Sequence, residues 1–308
     1  MFFDETHSLD FHELIKKRIK KTAVIIIAAA LLLTVVRIVL TVFYVDPVNH
    51  FYTPEHDMFI RIFDWTAAGG VIALYFISVF LYRYKKAEHH YSAVSVFLVQ
   101  GTQTQVFSAS VAGFMLVASA ILQVWRLFGN NELPAAQILA GFARNNTFDF
   151  LIFFASVFSA VYFFVTAWKE HKPEENDGKY SQKYIILSLM PIMWSFLHTF
   201  KCFFDMGRSI NSPVRIYELM SFLAMSTYFV SESRMIVGRR RISRFFTFAY
   251  IALIFIFFSA LPNLVLSSLG LMQTGGEYIL YAVQLAAAFY IITRIYSQVR
   301  YGKFQLER

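Results

Sequence analysis

Apolar residues occur along this chain in long blocks that are separated by short polar connections. A helix needs about 20 apolar residues in a row to cross the roughly 30 Å of hydrocarbon in a bilayer. The pattern therefore predicts an all-α fold, a single transmembrane bundle of about eight helices over residues 1–308. The predicted spans lie near 22–45, 59–82, 107–128, 146–168, 183–204, 215–237, 245–268 and 277–297.

The composition agrees with a membrane location. Hydrophobic residues make up 57% of the 308 residues and charged ones only 16%, which is more apolar surface than a soluble fold could bury. The net charge of +8 comes from Lys and Arg in short segments between apolar runs rather than on one folded basic face. We therefore expect the lipid bilayer as a partner, and no nucleic acid. A single cysteine, Cys202, excludes an intramolecular disulfide.

Basic residues concentrate on one side of the predicted bundle. The N-terminal segment, every second connection, Arg234 at the end of the sixth span and the C-terminal residues Arg294, Arg300, Lys303 and Arg308 together hold 21 of the 28 Lys and Arg residues. By the positive-inside rule this side is cytoplasmic, so both termini are expected in the cytoplasm and the protein in the plasma membrane. Residues 1–21 form a cytoplasmic leader in which Leu14, Ile15 and Ile19 share one side, as in an amphipathic helix at the inner headgroups. A solvated leader to the first span is the other interpretation.

Several ionisable side chains fall within the predicted spans, where each costs about 2.5 to 3.5 kcal/mol on insertion scales. Such groups normally face the bundle interior or a water-filled cavity. Arg37 lies roughly 10 Å below the outer end of the first span, and we expect it to be buried and paired with a carboxylate, with Asp64 as first choice. The candidate ligand-binding residues of the outer half are Arg37, Asp64, Trp194, His198, Lys201, Asp205 and Glu218.

Helical spacing places polar residues on one face of three spans. These stripes predict a polar interior that the three helices share, open to the outside, with Lys201 as counter-charge and Trp194 as floor. The other interpretation is that the groups lock helices together, at roughly 0.6 to 2 kcal/mol per polar contact. The stripes are Thr34, Arg37, Thr41 and Tyr44 on the first span; Pro191, Trp194, His198, Lys201 and Asp205 on the fifth; and Glu218, Ser221, Met225, Tyr228 and Glu232 on the sixth.

Small residues and prolines within the spans concern packing. Pro191 and Pro262 are expected to kink their helices, because proline removes a backbone hydrogen bond. Gly113 is spaced for close contact of the third helix with a neighbour, and packing is also expected for Gly69 and Gly70 on the second.

Motifs of known chemistry are absent from the sequence. Among the histidines only His198 lies at membrane depth, so a buried zinc site is not expected, and no His-Glu-x-x-His motif occurs. A Gly-x-Ser-x-Gly elbow and a P-loop are also missing. The sequence therefore predicts no catalytic residues, no metal and no cofactor.

Three functions remain open. The first is a protein that binds or moves a small solute, ion or lipid through a polar cavity in the outer half. The second is a non-catalytic sensor or a subunit of an unidentified protein partner, whose intramembrane charges are structural. The third is an enzyme acting on lipid headgroups with His198 and Asp205 as an acid–base pair, although a spacing of seven residues keeps the two side chains apart. The inner halves look apolar apart from Glu232 and Arg234, which favours a one-sided pocket over transport.

The predicted topology can be tested with single cysteines in a background without Cys202. A cysteine at position 241 should react with a membrane-impermeant reagent only after sealed cells are opened, because Arg241 belongs to a predicted cytoplasmic connection. A cysteine at position 144, in a predicted outer loop, is the matched control and should react in intact cells. Reaction at position 241 in sealed cells would overturn the orientation.

Overall fold

The structure is a computed structural model, and it describes residues 5–46, 57–81, 91–93, 103–129, 147–171, 182–204, 212–237, 242–270, 278–301 and 304–306. Within these ranges the chain forms nine helices and two short strands. In chain order they are α1 (Glu5–Tyr44), α2 (Asp57–Leu81), β1 (Tyr91–Ala93), α3 (Gln103–Gly129), α4 (Thr147–His171), α5 (Gln182–Leu187), α6 (Met190–Phe204), α7 (Pro213–Ile236), α8 (Ile242–Ser268), α9 (Tyr278–Tyr301) and β2 (Phe304–Leu306).

Six helical segments of the described chain are long and apolar enough to cross a membrane, which confirms the helical, membrane-type architecture. α2 and α7 occupy the two other predicted positions and are not among these six. α7 alone contains Arg215, Glu218, Glu232 and Arg234. The count of eight spans therefore stays a prediction. The six segments are Ile19–Tyr44, Gln103–Arg126, Thr147–Lys169, Gln182–Phe204, Arg244–Ser268 and Tyr278–Arg300.

Six of the helices pack in ring order. α3 packs against α4, α4 against α6, α6 against α7, α7 against α8, α8 against α9, and α9 returns to α3. Aromatic side chains fill the interior: the Phe163 ring of α4 lies 5.0 Å from the Tyr290 ring of α9 and 6.0 Å from the Phe229 ring of α7. α1 and α2 pack on α8 from outside this ring.

The two strands pair and mark one end of the bundle. β1 runs antiparallel to β2, with Tyr91 opposite Leu306 and Ala93 opposite Phe304. β1 precedes α3 and β2 follows α9, so the start of α3 and the end of α9 lie at the same end, here called the ribbon end. The contacts between helices show that α4 and α7 also end there and that α5 begins there.

Pro191 breaks the fifth predicted span into α5 and α6. Its missing N–H leaves the Leu187 carbonyl without a helical donor, and the chain turns at Ser188 and Leu189 before α6 begins. The Ser233 hydroxyl of α7 donates to the Ser188 carbonyl at 3.0 Å. The expected distortion at Pro191 is thus confirmed as a break, and a side chain of a neighbouring helix stabilises it.

Close packing of α3 on α4 depends on Gly113. A Cβ atom at this position would lie 2.9 Å from Cε1 of Phe164, whose ring also packs edge-on against Phe114 at 5.1 Å. The expected close contact of the third helix is confirmed. The expectation for Gly69 and Gly70 is wrong within the described residues, because a Cβ at either position meets nothing within 4 Å.

These glycines provide a stability test. Gly113→Ala should lower the unfolding free energy in detergent by about 1 kcal/mol, because the Phe164 ring must move aside. Gly69→Ala should instead raise it by roughly 0.5 to 1 kcal/mol, since alanine favours a helix and has space there. Equal shifts of the unfolding midpoint for the two variants would contradict the packing described for α3 and α4.

Candidate functional site

His198 lies between two aromatic side chains. It belongs to the half of the helix ring that lies away from the ribbon end. The Trp194 ring approaches it edge-on at 4.6 Å from the preceding turn of α6, and the Phe222 ring of α7 stacks on it at 4.9 Å. All three side chains are buried. Nε2 of His198 and Nε1 of Trp194 have no hydrogen-bond partner among the described residues. Two buried polar atoms without such partners therefore lie next to each other.

α7 adds a carboxylate and a hydroxyl to this region. Ser212 caps the helix by accepting the Arg215 N–H at 3.3 Å, and Pro213 fits the first turn, where no N–H is needed. Glu218 and Ser221 follow, both buried, with Glu218 one turn before Phe222 on the same face. The Ser221 Oγ has no hydrogen-bond partner among the described residues. Together, Trp194, His198, Glu218, Ser221 and Phe222 form what we call the α6–α7 site.

Lys201 does not belong to the interior of this site. Its Nζ forms a salt bridge of 2.5 Å with Asp149 on α4, and its side chain is 51% exposed. Asp205 lies outside the described residues, so its place in the stripe and its acid–base role with His198 stay predictions. The predicted counter-charge is thus bound at the outer edge of α4 and α6.

Arg37 and Asp64 meet at Tyr217 of α7. Arg37 is buried, as expected, and its guanidinium carbon lies 3.4 Å from the centroid of the Tyr217 ring. The Tyr217 hydroxyl donates to Oδ1 of Asp64 at 2.5 Å. Among the described residues no salt bridge joins Arg37 to Asp64. These two predicted site residues are therefore joined through Tyr217 and not by a direct ion pair.

The role of Arg37 follows from Pro262. A proline at this position has no N–H to give to the carbonyl four residues earlier, which belongs to Phe258. Nε of Arg37 donates to that carbonyl at 2.7 Å. The contact crosses from α1 to α8 and satisfies a backbone acceptor that would otherwise be open in a water-free environment. Arg37 thus stabilises α8 at the place where Pro262 removes a backbone hydrogen bond.

Arg215 has a similar role at the end of α6. Its Nε donates to the Cys202 carbonyl at 2.7 Å and its Nη2 to the Phe203 carbonyl at 2.5 Å. These carbonyls belong to the last turn of α6 (Met190–Phe204), and the last carbonyls of a helix have no donor within it. The first turn of α7 therefore caps α6, and the sequence analysis did not identify this contact.

The ribbon half of the ring contains an ion pair that the sequence analysis also missed. Nε of Arg294 on α9 lies 3.1 Å from Oε1 of Glu232 on α7, and the Tyr290 hydroxyl donates to the same oxygen at 2.7 Å. Glu232 and Arg294 are each 1% exposed. Arg294 had been assigned to the cytoplasmic side with the other C-terminal basic residues. It lies within the predicted span 277–297, and its position one turn after Tyr290 was the signal that could have placed it on the buried face.

Comparison with known protein families, with curated proteins and with solved structures finds no match to this chain. The described residues contain no group of three or more His, Cys, Asp or Glu side chains placed to hold a metal ion. What the geometry defines is a helical, membrane-type bundle with two buried polar regions inside a ring of helices. Its function is inferred from those regions alone.

The contact between Arg37 and Phe258 can be measured in a double-mutant cycle. Arg37→Met keeps much of the buried stem but removes the donor, so it should lower the unfolding free energy in detergent by about 2 kcal/mol. With Pro262→Ala, residue 262 regains an N–H that can serve the Phe258 carbonyl. The cost of Arg37→Met should then fall by about 1 kcal/mol. An equal cost in both backgrounds would contradict this role.

Proposed function

We propose that this protein is a membrane carrier that binds a small polar solute at the α6–α7 site and moves it along the buried face of α7. The observation that supports the proposal is a polar line on α7 that stays buried from one half of the ring to the other. It consists of Glu218, Ser221, Met225, Tyr228 and Glu232.

The length of this line suits a path across the bilayer. From Glu218 to Glu232 the helix rises about 21 Å at 1.5 Å per residue, against roughly 30 Å of hydrocarbon. The sequence analysis counted the inner half as apolar, which weakened transport. The Glu232–Arg294 pair and the tyrosine beside it now make that half polar as well.

The energetic cost of buried polar atoms without partners supports a water-accessible path rather than a purely structural role for the polar residues of α7. A buried polar atom that lacks a partner costs about 1 to 3 kcal/mol. The Ser221 Oγ and the Tyr228 hydroxyl on this line have no hydrogen-bond partner among the described residues, like Nε2 of His198 beside it. Helix packing alone gains nothing from such atoms. Water and a passing solute would supply the missing hydrogen bonds.

The proposal includes eight spans with both termini in the cytoplasm of a plasma membrane. The pairing of β1 with β2 supports the count, because two paired strands lie on the same face of the membrane. The chain between them must then cross an even number of times. Five of the apolar segments lie between the strands, and α7 as a sixth crossing would make that number even. The basic connections support the cytoplasmic assignment of the ribbon end.

A sensor or partner subunit is the second candidate, and one observation favours it. Arg37 and Arg215 donate to backbone carbonyls, so at least these two intramembrane charges have structural roles. Buried polar atoms along α7 are not explained in this way. The two candidates therefore differ in whether water reaches the α7 line.

Cysteine scanning along α7 separates the two candidates. In a background without Cys202, cysteines replacing Ser221, Met225 and Tyr228 should react with a small membrane-impermeant methanethiosulfonate, because a thiol ionises and reacts only where water reaches it. Cysteines replacing Met220, Leu223 and Val230 are matched controls on the exposed face of the same helix and should not react.

The side of reaction identifies a carrier. For a carrier, a cysteine at position 225 should be reached from the outer side in one state and from the cytoplasmic side in another. If no position on the buried face reacts from either side, the bundle is dry and the subunit interpretation is the better one. Reaction from the outer side alone would indicate a one-sided pocket.

A further inference from the structure

We propose that hydrogen-bonded side chains in the ribbon half form the inner gate of this carrier, with the Glu232–Arg294 pair as its latch. This inference rests on the proposed function, since a gate requires a path. It assigns to these residues a role that the solute-binding proposal does not contain: they close the path toward the cytoplasm.

The first part of the gate joins α4, α5 and α7. The Thr166 hydroxyl of α4 lies 2.9 Å from the Tyr184 hydroxyl of α5. Ser188 follows Tyr184 by one turn and lies in the turn that separates α5 from α6. The Ser233 hydroxyl of α7 lies 2.9 Å from its Oγ. Both contacts join side chains of different helices near the ribbon end.

The second part joins α7, α9 and α3. Glu232 accepts hydrogen bonds from Tyr290 and Arg294 of α9. The hydroxyl of Thr293, the residue before Arg294 on α9, lies 2.6 Å from Oγ of Ser108 on α3. Side-chain contacts therefore connect α4, α5, α7, α9 and α3 in the inner half of the ring.

The opposite half of the ring differs. There, Nε1 of Trp194, Nε2 of His198 and Oγ of Ser221 have no hydrogen-bond partner among the described residues. On the α7 line, hydrogen bonds between helices are thus formed near the ribbon end, whereas the described contacts between helices in the opposite half, such as Lys201 with Asp149 and Arg215 with α6, do not involve His198 or Ser221. A carrier that alternates its access has this asymmetry in each of its end states.

Two features make the Glu232–Arg294 pair the latch. Both side chains are buried, so separating their charges in the low-dielectric interior is costly, and the closed state is held until other polar groups take over their contacts. Ser233 follows Glu232 directly and contacts the break between α5 and α6. A shift of α7 at this level would release α9 and the broken helix together, and a broken helix is a natural place for movement.

The gate can be tested by labelling just behind the latch. Tyr228 lies one turn above Glu232, on the side away from the ribbon end. In inside-out vesicles that carry Tyr228→Cys without Cys202, an impermeant methanethiosulfonate should react slowly from the cytoplasmic side. Adding Glu232→Gln, which removes the ion pair but keeps the size of the side chain, should raise that rate by about tenfold, as a closed state weakened by ~1.4 kcal/mol requires.

Milder and matched variants accompany this measurement. Ser233→Ala removes one hydrogen bond of the gate and should raise the same rate by a smaller factor, so the test does not depend on Glu232→Gln folding. Arg37→Met removes a buried arginine outside the ring and should leave the rate unchanged. A merely structural role for Glu232 would lower thermal stability without exposing position 228 from one side.

The outcomes separate the gate from the carrier. If Glu232→Gln and Ser233→Ala both leave cytoplasmic labelling at position 228 unchanged, while position 221 still reacts from outside, the gate is overturned and the path remains. If a cysteine at position 221 fails to react from outside when Glu232 and Ser233 are both unchanged, the carrier proposal itself is overturned. A rise for both variants, with none for Arg37→Met, supports the gate.

Discussion

Every backbone carbonyl that a helix leaves open inside a bilayer needs a donor from the protein, because no water is there to supply one. In the part of the chain that the structure describes, such carbonyls occur at Pro262 within α8, at the break between α5 and α6, and at the end of α6. At Pro262 and at the end of α6 an arginine from another helix donates to the carbonyl, and at the break the Ser233 hydroxyl of α7 donates to the carbonyl of Ser188. Each repair is also a contact between helices. The contacts at these distortions therefore join helices: they join α1 to α8, and they join α7 to both ends of α6.

This constraint separates two kinds of buried charge. Arg37 and Arg215 serve the backbone, and their positions follow from a proline or a helix end nearby. Glu232 and Arg294 form an ion pair with each other across the ring. The two kinds cost the protein similar desolvation energy, so their insertion cost does not distinguish them. Their hydrogen-bond partners do distinguish them, and a function is better sought in the buried charges that pair with each other.

Periodicity and length were sufficient to predict the helices, because a run of apolar residues has one stable form in lipid. They were also sufficient to predict the burial of Arg37. The partners of the charged residues were beyond the sequence, since helical spacing shows which residues share a face but not which helix that face meets. Arg37 and Asp64 were thus predicted to pair, whereas the structure joins them through the ring and the hydroxyl of Tyr217. Arg294 was misplaced for a different reason, because charge counting by connection cannot tell a late intramembrane residue from the tail that follows it.

The β1–β2 ribbon has a consequence for how the protein is made. Its strands are separated by roughly two hundred residues, and β2 leaves the ribosome only after every helix of the ring has been synthesised. The ribbon therefore cannot form before the helices between its strands have been synthesised. With the six crossings proposed between the strands, failure of one helix to insert would place β1 and β2 on opposite faces of the membrane, so their pairing would report that these insertions had succeeded.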